Sequence, residues 1–203
     1  MLKEASEKDM LTIVGIGGTT KPGSSTESAL EIALAAAQRS GARIDRFDGS
    51  FLVGLPHYGT AEAVASAAGR AFVEAVRAAD GLIIASPGYH GCISGLVKNA
   101  IDYLEATARD SRVYLDGLPV GLIATAYGWQ ATGSTMAALR AITHALRGWP
   151  TPLGATVRCG AGCFEGTRCT DPATQSQLEL VGKQVVQFAR AAHGIESATA
   201  AES

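Results

Sequence analysis

The sequence is poor in charged and aromatic side chains. Only 18% of its 203 residues are Asp, Glu, Lys or Arg, and 6% are aromatic. Its 17 basic and 19 acidic residues leave a formal net charge of −2. Because nucleic acids are bound by strongly basic surfaces, this balance argues against a nucleic-acid partner. It also argues against a strongly acidic electron carrier that docks on its partner by charge.

Long apolar runs are missing as well. No run approaches the roughly 20 residues that a membrane-spanning helix needs, and no apolar segment follows a basic start as in a signal peptide. We therefore expect a cytoplasmic protein with no membrane partner. In that compartment the four cysteines, Cys92, Cys159, Cys163 and Cys169, predict free thiols. The last three lack the C-x-x-C spacing and the paired histidines of a zinc site, so we expect no metal.

Alanine and glycine are abundant instead, and together they fill 60 of the 203 positions. Such small side chains allow helices to pack closely on a sheet. Short apolar runs alternate with helical patterns, which predicts a parallel sheet with helices on both faces. The strand-like runs are 11–16, 42–47, 81–85, 120–126 and 153–157, and the helical patterns are 27–39, 64–79, 96–104, 136–146 and 178–192.

These five units predict an α/β three-layer sandwich with the flavodoxin-like strand order 2-1-3-4-5. No internal repeat or linker interrupts them, so we expect a single domain at 11–193. The first residues, 1–10, are expected to form a flexible segment. The small and polar residues 194–203 are expected to form a disordered tail.

In an open sheet of this kind, ligands bind beyond the carboxyl ends of the strands, where the strand order reverses. The loops after residues 16, 85 and 126 meet at that edge. The first loop precedes a helix, whose start offers unpaired N–H groups to a phosphate. Its candidate binding residues are Thr19, Lys21, Ser24, Ser25 and Thr26. The loop matches neither a dinucleotide fingerprint nor a P-loop, and the alternative is that its hydroxyl groups only cap the helix.

The second and third loops bring glycines and aromatic rings to the same edge. Glycine lets backbone N–H groups approach a planar ligand closely, and a tyrosine ring can stack on it. For the second loop the alternative is an ordinary tight turn. Next to the third loop, Trp129 is explained equally well by packing at a subunit boundary. The candidate binding residues are Pro87, Gly88, Tyr89, His90 and Gly91 in the second loop, and Thr125, Ala126, Tyr127 and Gly128 in the third.

The segment 86–102, SPGYHGCISGLVKNAID, resembles a segment of the NAD(P)H-dependent FMN reductases, which reads close to S-P-E-Y-H-G-S-x-P-G-x-L-K-N-A-I-D. The first loop resembles the phosphate loop of the same family, G-S-x-R-x-x-S-x-N. Thr19, Lys21, Ser24 and Thr26 stand at the corresponding places. The chain departs from the family at Gly88, where an acidic residue is usual, and at Lys21, which replaces arginine.

This resemblance implies that FMN is held by its phosphate at the first loop and by its ring at the other two. NADPH or NADH would supply a hydride, and FMN would pass it to a free flavin, a quinone or another small acceptor. No side chain is implied as catalytic, because the cofactors carry the chemistry. Cys92 lies near the implied ring, either as a packing residue or with a redox role.

The resemblance also implies a homodimer or homotetramer, and a flavin-dependent monooxygenase as one partner that would receive reduced flavin. Two other functions remain open. The chain could be an FMN-binding electron carrier without nicotinamide activity, or a relative that has lost its flavin and serves as an interaction module.

Overall fold

Five parallel strands form the centre of the computed structural model, which describes residues 10–160, 162–166 and 168–201, with side chains up to residue 194. The strands are β1 (Thr12–Gly17), β2 (Arg43–Phe47), β3 (Gly81–Tyr89), β5 (Pro119–Ala126) and β6 (Trp149–Arg158). They lie in the order β2-β1-β3-β5-β6. The short strand β4 (Cys92–Ile93) pairs antiparallel with the end of β3. Among the parallel strands alone this is the order 2-1-3-4-5, so the predicted flavodoxin-like architecture is confirmed.

Helices cover both faces of this sheet. One face carries α1 (Ser25–Arg39) and α7 (Pro172–Ala201), while the other carries the helices between β2 and β6. These are α2 (Gly49–Val53), α3 (Ala61–Ala65), α4 (Ala67–Arg77), α5 (Gly95–Asp102) and α6 (Trp129–Ala145), with a 3-10 turn at Tyr103–Thr107 after α5.

Successive residues of a strand belong alternately to the two hydrophobic cores on either side of the sheet. Ile83 and Ile123 belong to the core under α1 and α7, whereas Leu82 and Leu122 belong to the opposite core. All four side chains are at most 1% exposed. Burial on both faces is typical of a parallel sheet, and it explains why these strands are apolar runs without a polar alternation.

The helical pattern predicted over 64–79 is wrong as a single helix. The chain forms α3 and α4, which meet at Ser66 in an extended conformation with ψ of 117°. The Ser66 hydroxyl accepts a hydrogen bond from the N–H of Gly69 at 3.0 Å and so caps α4. Val64, the first position of the predicted pattern, is 81% exposed in α3, whereas Phe72 and Val76 of α4 are buried, so the pattern describes only the second helix.

The residues after 85 were predicted as a loop, but β3 continues through Ser86 and Pro87 to Tyr89. Pro87 pairs with Thr125 of β5. On the other side β1 ends at Gly17, which pairs with Ala85. Pro87 therefore has a strand neighbour on one side only, which is the setting in which a sheet tolerates proline.

A hairpin of β7 (Phe164–Glu165) and β8 (Arg168–Cys169) follows β6 and was not predicted. The last helix runs to Ala201 and so includes most of the segment expected as a tail. The segment expected to be flexible at 1–10 lies outside the described residues except for Met10, and the domain bounds remain a prediction. In the described part of the chain, no helix is long and apolar enough to cross a bilayer.

Candidate functional site

A cleft of about 620 Å³ opens at the carboxyl ends of the parallel strands, where all three predicted loops meet. His90, Gly91 and Gly128 are not among the residues that line it. Four residues outside the list of candidate binding residues also line it: Thr20, Gly23, Cys159 and Gly160. The predicted residues in its walls are Thr19, Lys21, Ser24, Ser25, Thr26, Pro87, Gly88, Tyr89, Thr125, Ala126 and Tyr127.

The start of α1 forms one end of the cleft. Ser24 is the N-cap, and its hydroxyl accepts a hydrogen bond from the N–H of Glu27 at 3.3 Å. The first intrahelical bond runs from the N–H of Ser28 to the carbonyl of Ser24. The N–H groups of Ser25 and Thr26 precede that bond, so the helix leaves them for a ligand. Capping therefore accounts for Ser24 but not for its two neighbours.

Two buried hydroxyls join the first loop to the third. Thr26 Oγ1 lies 2.6 Å from Thr125 Oγ1, and the two residues are 2% and 3% exposed. Thr26 is in the first turn of α1, and Thr125 is near the end of β5. This bond fixes the start of the helix against the strand that carries the third loop.

Charge near the start of α1 is mixed. A carboxylate oxygen of Glu27 accepts the N–H of Gly23, the residue before the N-cap, at 2.8 Å. The Lys21 side chain is exposed, while its backbone N–H donates to the hydroxyl of Thr19 at 3.1 Å. An anion bound here would have the Lys21 ammonium and the helix dipole to offset the Glu27 carboxylate.

The second loop is a tight hairpin turn. Tyr89 pairs with Cys92, which leaves His90 and Gly91 as the two turn residues. Both have positive φ angles, 51° and 86°, as a type I′ hairpin requires. The chain therefore forms a tight turn at these two residues, while Tyr89 lines the cleft.

Helix α6 packs so closely against Gly88 that no side chain fits at this position. A Cβ atom added there would lie 2.5 Å from Thr135 Oγ1 and 3.1 Å from the carbonyl oxygen of Ala131. The helix therefore occupies the space that the usual acidic side chain of the resembled family would need. Its backbone remains accessible from the cleft, which Gly88 lines.

Aromatic rings lie in the walls of the cleft at Tyr89 and Tyr127, and Trp129 follows two residues after Tyr127. The exposed fractions of Tyr127 and Trp129 are 89% and 63%, and that of Tyr89 is 53%. The guanidinium carbon of Arg158 lies 5.7 Å from the Trp129 ring centre, which is within the range of a cation–π interaction. Large exposed rings beside a cleft provide stacking surfaces for a flat molecule.

The floor of the cleft includes Cys159, the first residue after β6. Its thiol donates a hydrogen bond to the carbonyl of Val157 at 3.7 Å, and burial raises its pKa above the ordinary thiol value. Burial likewise raises the pKa of Cys163 and of Cys169. All four cysteines are free thiols, as predicted. No group of side chains suited to a metal ion occurs among the residues described.

The arrangement can hold a flat molecule that carries a phosphate. Its volume lies within the usual range of ligand pockets, about 300–1,000 Å³. Helix N–H groups and hydroxyls stand at one end, and glycine, proline and aromatic residues stand at the other. Among the described residues that line the cleft there is no carboxylate and no imidazole.

Comparison with known proteins adds a family match. The family model described as NADPH-dependent FMN reductase matches residues 11–160. The chain is also similar to the FMN-dependent NADPH-azoreductase of Staphylococcus haemolyticus (strain JCSC1435), with 37% identity over 81 residues. That match spans 40% of this chain and only 39% of the azoreductase.

Solved structures share the fold. The flavoenzyme NAD(P)H:(acceptor) oxidoreductase of Paracoccus denitrificans superposes with a TM-score of 0.70 at 18% identity, covering 89% of this chain and 98% of that one. An NADH:FMN oxidoreductase in its apo form superposes with a TM-score of 0.66 at 23% identity, covering 90% of each chain. At such low identity these likenesses support the architecture alone.

Proposed function

The chain belongs to the NADPH-dependent FMN reductase family, and from this premise we propose that it is an FMN-dependent oxidoreductase that uses NADPH or NADH. The observation that carries this proposal is the cleft itself. It joins a helix start, whose first N–H groups have no partner within the helix, to the space between the ends of β3 and β5. When bound, FMN would take a hydride from the nicotinamide and deliver the electrons to a small acceptor.

The first loop would hold the phosphate. The N–H groups of Ser25 and Thr26 supply donors at the positive end of the α1 dipole, and Lys21 supplies the positive charge. The bond between Thr26 and Thr125 keeps these donors at a fixed distance from the third loop. Preorganised donors of this kind bind an anion without the cost of ordering them first.

The second and third loops would hold the ring. Pro87 and Gly88 lie on β3 beside Thr125 and Ala126 on β5, and the two strands are in register there. Their small side chains leave the backbone open to a planar ligand. His90, Gly91 and Gly128 remain predicted contacts, to be reached through the hairpin tip and the start of α6.

The acceptor is proposed to be a small flat molecule: a free flavin, a quinone or an azo compound. The exposed rings of Tyr89, Tyr127 and Trp129 favour an aromatic acceptor that stacks at the rim. The azo compound is included because the similar staphylococcal protein is named an azoreductase. A homodimer or homotetramer, a flavin-dependent monooxygenase partner and a cytoplasmic location remain part of the same proposal.

The test is an anaerobic titration of the FMN-loaded protein. Addition of NADPH or NADH is expected to bleach the flavin absorbance, and a quinone or azo dye added afterwards is expected to restore it. A yellow protein that neither nucleotide reduces would be an electron carrier instead. A protein that fails to bind FMN at all would be the flavin-free interaction module, and the proposal would be wrong.

A further inference from the structure

The last residue of β6, Arg158, lies next to the cleft. It pairs with Ala126 of β5, and the N–H of the following residue, Cys159, donates to the Ala126 carbonyl at 2.7 Å. Ala126 and Cys159 both line the cleft. Strand pairing therefore fixes the backbone of Arg158 at the edge of the cleft.

The side chain of Arg158 lies on the face of the sheet that carries α6. Its two neighbours in sequence, Val157 and Cys159, belong to the core under α1 and α7. Because successive side chains of a strand point to opposite faces, Arg158 points away from that core. Helix α6 begins there with Trp129, whose ring centre is 5.7 Å from the Arg158 guanidinium carbon. The guanidinium is therefore held at the start of α6 and not at the phosphate loop.

The positive charge of Arg158 is not matched by a carboxylate. In the part of the chain that the structure describes, no Asp or Glu forms an ion pair with it, whereas Arg46 and Arg77 each pair with two. A cation that lies over an aromatic ring keeps its charge. The N–H groups of the planar guanidinium can still donate to a carboxylate or a sulfonate as a bidentate pair. An acidic group of a ligand at this edge of the cleft would therefore find a partner.

Two aromatic rings beside Arg158 are open to solvent. Tyr127 is 89% exposed and Trp129 is 63% exposed, although tryptophan is on average highly buried in proteins. Tyr127 also lines the cleft, so a flat ligand in the cleft can stack on its ring. The cation and the open ring together suit a flat molecule that carries a negative charge.

We propose that the electron acceptor is an aromatic anion, namely a quinone or an azo compound that bears a sulfonate or a carboxylate, and that Arg158 selects it. The proposal rests on the proposed function, because it needs FMN in the cleft. The acceptor ring would lie against Tyr127, and its acidic group would pair with Arg158, which Trp129 positions. In each turnover with a quinone, NADPH loses a hydride, the quinone gains that hydride and one proton from the solvent, and the acidic substituent is unchanged.

The first test is isothermal titration calorimetry of the FMN-loaded protein with two probes of the same ring system, naphthalenesulfonate and neutral naphthol. Arg158→Gln removes the charge and is expected to weaken sulfonate binding about tenfold, with the naphthol affinity unchanged. Arg158→Lys keeps the charge but loses the bidentate geometry, and it is expected to weaken sulfonate binding by a smaller factor.

Arg109→Gln is the matched control for the loss of one positive charge. Arg109 is exposed and precedes β5. Its neighbour Asp110 pairs with Arg77 at the end of α4, which places it at the amino ends of the strands, away from the cleft. The control is expected to change neither affinity.

Turnover provides a second readout, as the ratio of kcat/KM for naphthoquinone sulfonate to kcat/KM for naphthoquinone with NADPH as donor. Comparing this ratio between variants cancels the different intrinsic reactivities of the two quinones. Arg158→Gln is expected to lower the ratio about tenfold. Trp129→Leu is expected to lower it severalfold, because the guanidinium loses the ring that positions it.

The possible outcomes separate this proposal from the proposed function. If the wild type binds the neutral probe more tightly than the sulfonate, or if Arg158→Gln changes both probes equally or neither, the acceptor site is wrong. Melting temperatures of the variants report on the fold. If the wild type fails to bind FMN, or if neither nucleotide reduces the bound flavin, the proposed function is wrong and the acceptor site falls with it.

Discussion

Thr26 and Thr125 form a buried hydroxyl pair between the first turn of α1 and the end of β5. Thr26→Val is expected to leave the Thr125 hydroxyl unpaired in a dry site, at a cost of about 1–3 kcal/mol. Replacing both residues by valine removes both polar groups and is expected to recover most of that loss. Urea denaturation of the two single variants and the double variant gives the coupling energy. Additive losses would show that the pair contributes no coupling energy.

Gly88 shows why the candidate site could not be predicted in full from residue types alone. The sequence marks it as a departure from the resembled family, but only the structure shows that Thr135 and Ala131 take the space of its missing side chain. Those residues lie on α6, more than forty positions further along the chain. A contact between positions so distant leaves no local pattern to read.

At the scale of elements, the hairpin between β3 and β4 depends on its turn. Gly91→Ala puts a side chain at a φ of 86°, which is expected to lower the free energy of unfolding by about 1–2 kcal/mol. Gly133→Ala is the control, because Gly133 lies inside α6 with no heavy atom within 4 Å of an added Cβ. Alanine is expected to stabilise that helix. Urea denaturation measures both, and equal effects would show that the turn carries no such constraint.

Most elements of the fold could be predicted from the sequence, because burial leaves a recognisable pattern of apolar residues. A strand buried on both faces needs an uninterrupted apolar run, and 81–85 and 120–126 are such runs. The extension of β3 through Pro87 was missed because proline usually ends a central strand, and nothing local shows that β1 stops first. The hairpin of β7 and β8 was missed because its strands have two residues each.

The candidate site was predicted in its three loops but not in its floor. Cys159 follows β6 directly, so the rule that ligands lie beyond strand ends also selects it. The three predicted loops follow β1, β3 and β5, so the prediction omits the end of β6. Gly23 lies in the first predicted loop, and the structure shows that it lines the cleft.

At the scale of the whole molecule, the buried thiols make the free energy of unfolding decrease at alkaline pH. Burial raises the pKa of Cys159, Cys163 and Cys169 in the folded chain, so the unfolded chain loses these protons first. Their contribution is complete below the ordinary thiol pKa of about 8.5 and is lost as pH rises through the raised values. The free energy of unfolding is therefore expected to fall between pH of about 8 and about 10.

Urea denaturation across this range checks the effect. Cys159→Ala is expected to reduce the loss, while Cys92→Ala is the control because Cys92 is exposed. Burial raises the pKa of Tyr103 as well, which adds a loss of the same sign in every variant. An identical pH dependence in the wild type and in Cys159→Ala would exclude Cys159 as a source of the loss.

The contact between α1 and α7 joins elements that lie far apart in sequence. A side chain at Gly182 of α7 would collide with the backbone of Ala33 in α1, so the two helices touch without room for a methyl group. During synthesis α1 leaves the ribosome well before α7. The loop at the start of α1 therefore acquires this support only once α7 has emerged, and contacts of such long sequence separation make folding slow. A ribosome stalled before residue 182 would carry a chain that has the three predicted loops but lacks the packing of α7 on α1.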